Sequence, residues 1–268
     1  MSNYAAVLIN IVAMLGFVSI LYYMQRKQVS FGTRVILGLV FGVIFGAALH
    51  GIFGPASPVI KQSNSWFDVI GSGYVRLLKM IVMPLIIVSI TTAITNLKDV
   101  KILGRAGGLI IGILLFTTGI AAVVGIGSSF AFNLSADTLQ VGEAELSATK
   151  KVEGKLTAFE SKPVQQQLME IIPTNPFYAM TGQGSADTLS LVFFSTLIGI
   201  AVLSIKKSNP QSAEFFVKAI TAANDIVMKL VDFVLILTPY GVLALMTKFI
   251  STSNYADIYK LIQFVIAS

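Results

Sequence analysis

No cysteine occurs among the 268 residues, so the chain can build neither a disulfide nor a thiolate metal site. A single histidine excludes zinc-type His spacings and many catalytic arrangements. There is no Walker loop, no nucleophile elbow and no dinucleotide fingerprint, and no constellation of residues supports an enzyme. Charge is scarce: Asp, Glu, Lys and Arg make up 12% of the chain, against about 25% in an ordinary globular domain. Too little polar material remains to cover a water-facing surface.

What is present is apolar. Hydrophobic residues form 55% of the chain, and the mean hydropathy is +0.81. The apolar residues lie in long runs, and roughly 18 in succession suffice for a helix to cross a bilayer about 30 Å thick. The sequence therefore predicts an all-α integral membrane protein with six complete transmembrane helices and the start of a seventh. Residues 1–24 are the first, an additional N-terminal helix, with its charge-free run from about Ala5 to Met24. Residues 25–132 hold helices two to four, with runs at Val35–Phe53, Val69–Asn96 and Gly107–Phe132. Residues 133–170 mix Asp and Glu with Lys and read as an extracellular polar loop. Residues 171–268 hold helices five (Asp187–Ile205) and six (Glu214–Lys248) and the truncated beginning of helix seven. Residues 54–68, with Pro55 and Pro58, read as an outer loop, and Trp66 suits the membrane interface.

The net charge is +6, and position matters more than the total. Arg26, Lys27 and Arg34 share one short loop, Lys98, Lys101 and Arg105 another, and Lys206 and Lys207 a third. No stripe of base-stacking aromatics accompanies them, so nucleic acid is not a partner; the lipid bilayer is. Basic residues gather on cytoplasmic loops, which places these three loops inside and the N-terminus outside.

Several residues stand out against the apolar background. Gly38, Gly42 and Gly46 fall on one helix face, which serves either close helix contact or mere tolerance of glycine in lipid. His50, near the outer end of its helix, reads as an interfacial residue. Arg76 and Lys79 share a face at membrane depth, and such charges generally face protein or a water-filled cavity. Pro84 predicts a kink. Asp225, Lys229 and Asp232, spaced four and three apart, predict an internal ion pair. Pro239-Tyr240-Gly241 predicts a break near the outer part of the sixth helix. The hydroxyl pair Thr117-Thr118 sits mid-helix, where such groups usually bond back to a carbonyl one turn earlier. As ligands they would offer hard oxygens to an alkali cation, with carboxylates supplied from elsewhere.

Three strings carry a family resemblance. They are Tyr74-Val-Arg-Leu-Leu-Lys79-Met-Ile-Val-Met-Pro84, Ile172-Pro-Thr-Asn-Pro-Phe177 and Thr238-Pro-Tyr-Gly-Val-Leu-Ala-Leu245. They resemble helix segments of the dicarboxylate/amino acid:cation symporters. The additional N-terminal span, Leu49-His50 and Leu245-Met-Thr-Lys248 resemble the branch that takes up L-cystine. The resemblance implies secondary active transport of L-cystine or a related amino acid, driven by a coupling cation (Na+ or H+), in a cell-membrane homotrimer with an elevator movement. It places spans 35–53, 69–96, 187–205 and 214–248 in a fixed scaffold and 107–132 in the mobile core. Thr117 and Thr118 then fall where relatives place hydroxyls at a sodium site. Such symporters continue for about as many residues again, including two hairpins that hold most ligands, so the chain reads as a C-terminally incomplete carrier. A non-transporting membrane scaffold, and a symporter for another amino acid or a dicarboxylate, remain open as alternatives.

Overall fold

The computed structural model describes residues 3–97, 100–131, 163–182, 184 and 187–253. Among them every regular element is a helix: α1 (Asn3–Arg26), α2 (Phe31–Phe53), α3 (Pro58–Thr95), α4 (Val100–Ala131), α5 (Val164–Glu170), α6 (Pro176–Ala179), α7 (Asp187–Ser208), α8 (Pro210–Ile236) and α9 (Thr238–Thr252). Four of these, α1, α2, α3 and α7, are long and apolar enough to cross a membrane, and α8 with α9 makes a fifth candidate bent by 46°. The fourth expected span is α4, whose described apolar stretch is Gly112–Gly127. Most of the expected polar loop and all of the expected seventh helix lie outside the described residues; within that loop, Val164–Glu170 is helical.

Local chemistry sets the boundaries. Ser30 caps α2, its hydroxyl accepting from the Thr33 amide at 3.3 Å, and Gly54 ends α2 in the left-handed region at φ 75°. The expected outer loop at 54–68 is only a short turn. Pro58 sits in the first turn of α3, where its missing N–H costs nothing, and the carbonyl of Ser57 accepts from the Lys61 amide at 3.1 Å. The proline therefore starts a 38-residue helix instead of breaking one. That helix runs on through Pro84 without interruption, so the expected kink does not divide it. The break in the sixth span falls at Leu237, beside the Pro239-Tyr240-Gly241 string that predicts it; Tyr240 bonds to Gln25 next to the α1–α2 turn, so the break lies at the end that the basic loops place inside and not in the outer part.

The chain forms two compact units. Of the described residues, the first comprises those within 3–79 and 231–253, the second those between 80 and 230.

In the first unit α9 lies along both α2 and α3. A Cβ added at Gly38 would fall 2.5 Å from the Pro239 carbonyl oxygen. One at Gly42 would fall 2.7 Å from the Met246 Cβ, and one at Gly46 would fall 2.8 Å from the Ile250 Cβ. The glycine face is thus the contact face, and it runs parallel to α9, because both sets of numbers rise together. Lipid gives apolar side chains no reason to leave it, so close backbone approach is what holds such helices together. His50, near the end of the helix, continues the same face and is buried within the protein. Met14, Leu21, Phe45, Leu49, Ile60, Phe67 and Leu243 fill the core beside this seam. The Phe17, Phe41, Phe45 and Phe67 rings step across it at centroid distances of 5.3–5.9 Å.

In the second unit, Ile94 of α3 packs where a Cβ on Gly199 of α7 would stand, 2.7 Å away. The Thr91 hydroxyl donates to the Ser195 carbonyl at 3.4 Å, and Ser190 donates to the Glu170 carbonyl at 2.8 Å. Asn175 caps α6 by accepting from the Phe177 and Tyr178 amides at 2.9 and 3.3 Å.

Candidate functional site

Polar side chains cross the first unit in an ordered series. On α3 and α9 the partners are Asn64 with Ser251 at 3.1 Å, Asp68 with Lys248 at 2.6 Å, and Tyr74 with Thr238 at 2.9 Å. One number falls as the other rises, so these helices are antiparallel. Between the last two pairs, Gly71 accepts Leu245, and Gly241 lies so close to the Tyr74 ring that no Cβ would fit. Two of the strings that carry the family resemblance therefore meet here, at Tyr74 and Gly241. Asp68 is held further by the Ser72 hydroxyl, which donates to its other oxygen at 3.1 Å.

The first helix is tied at both ends. Near its start Asn10 donates to the Ser63 hydroxyl of α3 at 3.0 Å, and both groups are buried. At its end the Gln25 side-chain oxygen accepts from Arg34 of α2 and Tyr240 of α9, each at 2.9 Å. A polar group in lipid without a partner costs several kcal/mol, on the order of 4–8 by transfer to hydrocarbon, so every one of these pairs constrains the register of its helices. The sequence holds a signal for them: isolated Asn, Gln or Asp residues within or beside apolar runs. Their partners are set by register and do not show in the sequence.

Thr117 and Thr118 are both exposed on α4, as is every residue from Gly112 to Gly127. The Thr117 hydroxyl donates to the Ile113 and Leu114 carbonyls at 3.0 and 3.1 Å. That bond uses the hydroxyl proton and leaves its oxygen lone pairs able to accept a cation. Among the described residues no group of three or more His, Cys, Asp or Glu side chains is arranged to hold a metal ion. Arg76 and Lys79 are exposed on α3, and Asp225, Lys229 and Asp232 are exposed along α8. At the start of α8, Lys218 and Glu214 form an i,i+4 ion pair at 2.7 Å.

The model of the sodium:dicarboxylate symporter family matches residues 31–268. The chain belongs to this family. It is 52% identical over 260 residues to the L-cystine uptake protein TcyP of Bacillus thuringiensis (strain Al Hakam), covering 97% of this chain and 56% of that protein. The TcyP proteins of Bacillus licheniformis and Bacillus subtilis (strain 168) are 47% and 46% identical, over 98% and 92% of this chain and 57% and 54% of theirs. The chain thus spans a little over half the length of the curated relatives it matches. Within this chain, α1 precedes the part that the family model covers, and Asn10 and Gln25 supply its polar ties to the other helices.

Proposed function

We propose that this chain supplies the scaffold and the first mobile-core helix of a secondary active carrier that takes up L-cystine with a coupling cation. The observation that carries the reading is the 52% identity, over 97% of this chain, to a protein named for L-cystine uptake, within a family named for sodium-coupled symport. A carrier for a disulfide also benefits from a wall without thiols, since thiolates exchange with disulfides, and this chain contains no cysteine.

In this reading α2, α3, α7 and the α8–α9 pair form the fixed frame of a homotrimer in the cell membrane, with the N-terminus outside. Helix α4 moves, and its bare apolar surface is where the rest of the core docks. Thr117 and Thr118 contribute hydroxyl oxygens to a sodium site whose other ligands come from further along the carrier.

The test uses a chimera in which residues 1–268 are followed by the part of the Bacillus thuringiensis relative that the match leaves uncovered. In cells lacking their own cystine carriers it should take up labelled L-cystine, and collapse of the sodium and proton gradients should abolish that uptake. Strong competition by glutamate or aspartate but not by cystine would redirect the reading to a dicarboxylate carrier. Replacing Thr117 and Thr118 together by valine is expected to raise the sodium concentration for half-maximal uptake roughly tenfold, the effect of losing about 1.4 kcal/mol of binding. An unchanged sodium dependence would remove both residues from the site.

A further inference from the structure

We infer that the turn between α1 and α2 is a binding site for the phosphate headgroup of an anionic phospholipid. Three cations gather there: Arg26 ends α1, Lys27 follows it in the turn, and Arg34 lies in the first turns of α2. No Asp or Glu occurs before Asp68, and Asp68 is taken up by Lys248 at 2.6 Å and by Ser72.

The groups that position these cations are neutral. Gln25 fixes the Arg34 guanidinium through Nη1 at 2.9 Å, while the Arg34 Nε is shut off from solvent without a hydrogen-bond partner. Arg26 donates to the Tyr22 hydroxyl at 3.1 Å, and the Lys27 ammonium stands 5.7 Å from the centre of the Tyr23 ring. A guanidinium held by an amide and a hydroxyl keeps its full charge and its remaining donors for an outside anion, and its planar fork matches phosphate oxygens. Tyr22 and Tyr23 are themselves exposed, which suits rings lying at the level of lipid headgroups.

An ordinary orientation signal needs only basic residues in a short loop. Lys206 and Lys207 meet that requirement at the end of α7 with no guanidinium and no orienting partner of this kind. The α1–α2 turn differs in having two guanidiniums with defined partners. At a membrane boundary the anion present at high density is lipid phosphate, and each Lys or Arg near such a surface adds to the attraction. The inference holds for whichever leaflet this turn faces.

The measurement is native mass spectrometry of the purified 268-residue chain, titrated with phosphatidylglycerol, with phosphatidylcholine of the same acyl chains, and with inorganic phosphate. Phosphatidylglycerol should be retained and phosphatidylcholine released. The triple variant Arg26→Gln, Lys27→Gln and Arg34→Gln should bind phosphatidylglycerol about 100-fold more weakly. The Lys206→Gln, Lys207→Gln variant should bind it as the native chain does. Arg26 and Lys27 are exposed, so replacing those two alone keeps the fold and should still weaken binding by about 30-fold. Equal retention of both lipids, or native-like retention by either α1–α2 variant, would overturn the inference. Displacement of the lipid by inorganic phosphate at similar concentration would overturn it as well, in favour of a free-phosphate site.

Discussion

Leucine at Gly42 is expected to destabilise the protein by about 3 kcal/mol, enough to remove most of the monodisperse material from a detergent extract. The cause is backbone proximity. Even the first carbon of a side chain at Gly42 would stand 2.8 Å from the Leu243 carbonyl oxygen and 2.7 Å from the Met246 Cβ. Neither can swing aside, so α2 and α9 must separate, and the neighbouring close approaches at Gly38 and Gly46 separate with them. Gly16→Leu is the matched control: it sits in mid-α1, nothing lies within 4 Å of its added Cβ, and the change there should be within about 0.5 kcal/mol. Thermal unfolding followed by size-exclusion fluorescence distinguishes the two. Equal losses would mean that bulk in any transmembrane glycine is what harms the protein, and that the α2–α9 seam is not specific.

Reversing one charge of the Asp68–Lys248 pair is the second large effect. Asp68→Lys places two ammonium groups at a contact that now measures 2.6 Å, and it leaves the Ser72 hydroxyl without its acceptor. Breaking a fully buried pair costs about 3–5 kcal/mol; here the side chains retain 33% and 43% of their exposure, so about 2 kcal/mol is expected. Adding Lys248→Asp restores opposite charges in exchanged positions and should recover most of the loss. A double variant no more stable than Asp68→Lys alone would show that the pair contributes little to holding α3 against α9.

Helix existence was legible because lipid demands long apolar runs, and α1, α2, α3 and α7 fall within a few residues of the runs that predict them, apart from the early start of α3. The sequence conceals that start for a definite reason. Pro58 and the polar residues Lys61, Ser63, Asn64 and Asp68 look like loop, but the proline occupies a helix start. Three of those polar side chains are satisfied across helices, by Asn10, Ser251 and Lys248. Composition records that a residue is polar; only register records which partner it meets. The glycine spacing of α2 was visible in the same way, while its use waited on α9, a little over two hundred residues later. For Thr117-Thr118 the sequence placed both hydroxyls at mid-helix, and the structure adds the back-bond of Thr117 to the preceding turn. Other ligands of a cation would have to come from elsewhere, so neither source alone completes a site.

The most direct measurement uses the absence of cysteine as an advantage. Asn64 and Ser251 touch at 3.1 Å across α3 and α9, so cysteines at these two positions can be joined by oxidation in the otherwise thiol-free chain. The pair is introduced into the chimera, any cysteine of its appended part is replaced by serine, and the protein is oxidised in membranes, freed of oxidant and assayed for gradient-driven uptake. If α3 and α9 belong to a fixed frame, the cross-link forms fully and uptake stays at the level of the unlinked protein. Uptake that falls to background as the cross-link forms, and returns on its reduction, would mean that these helices must part during transport, contradicting their assignment to the scaffold.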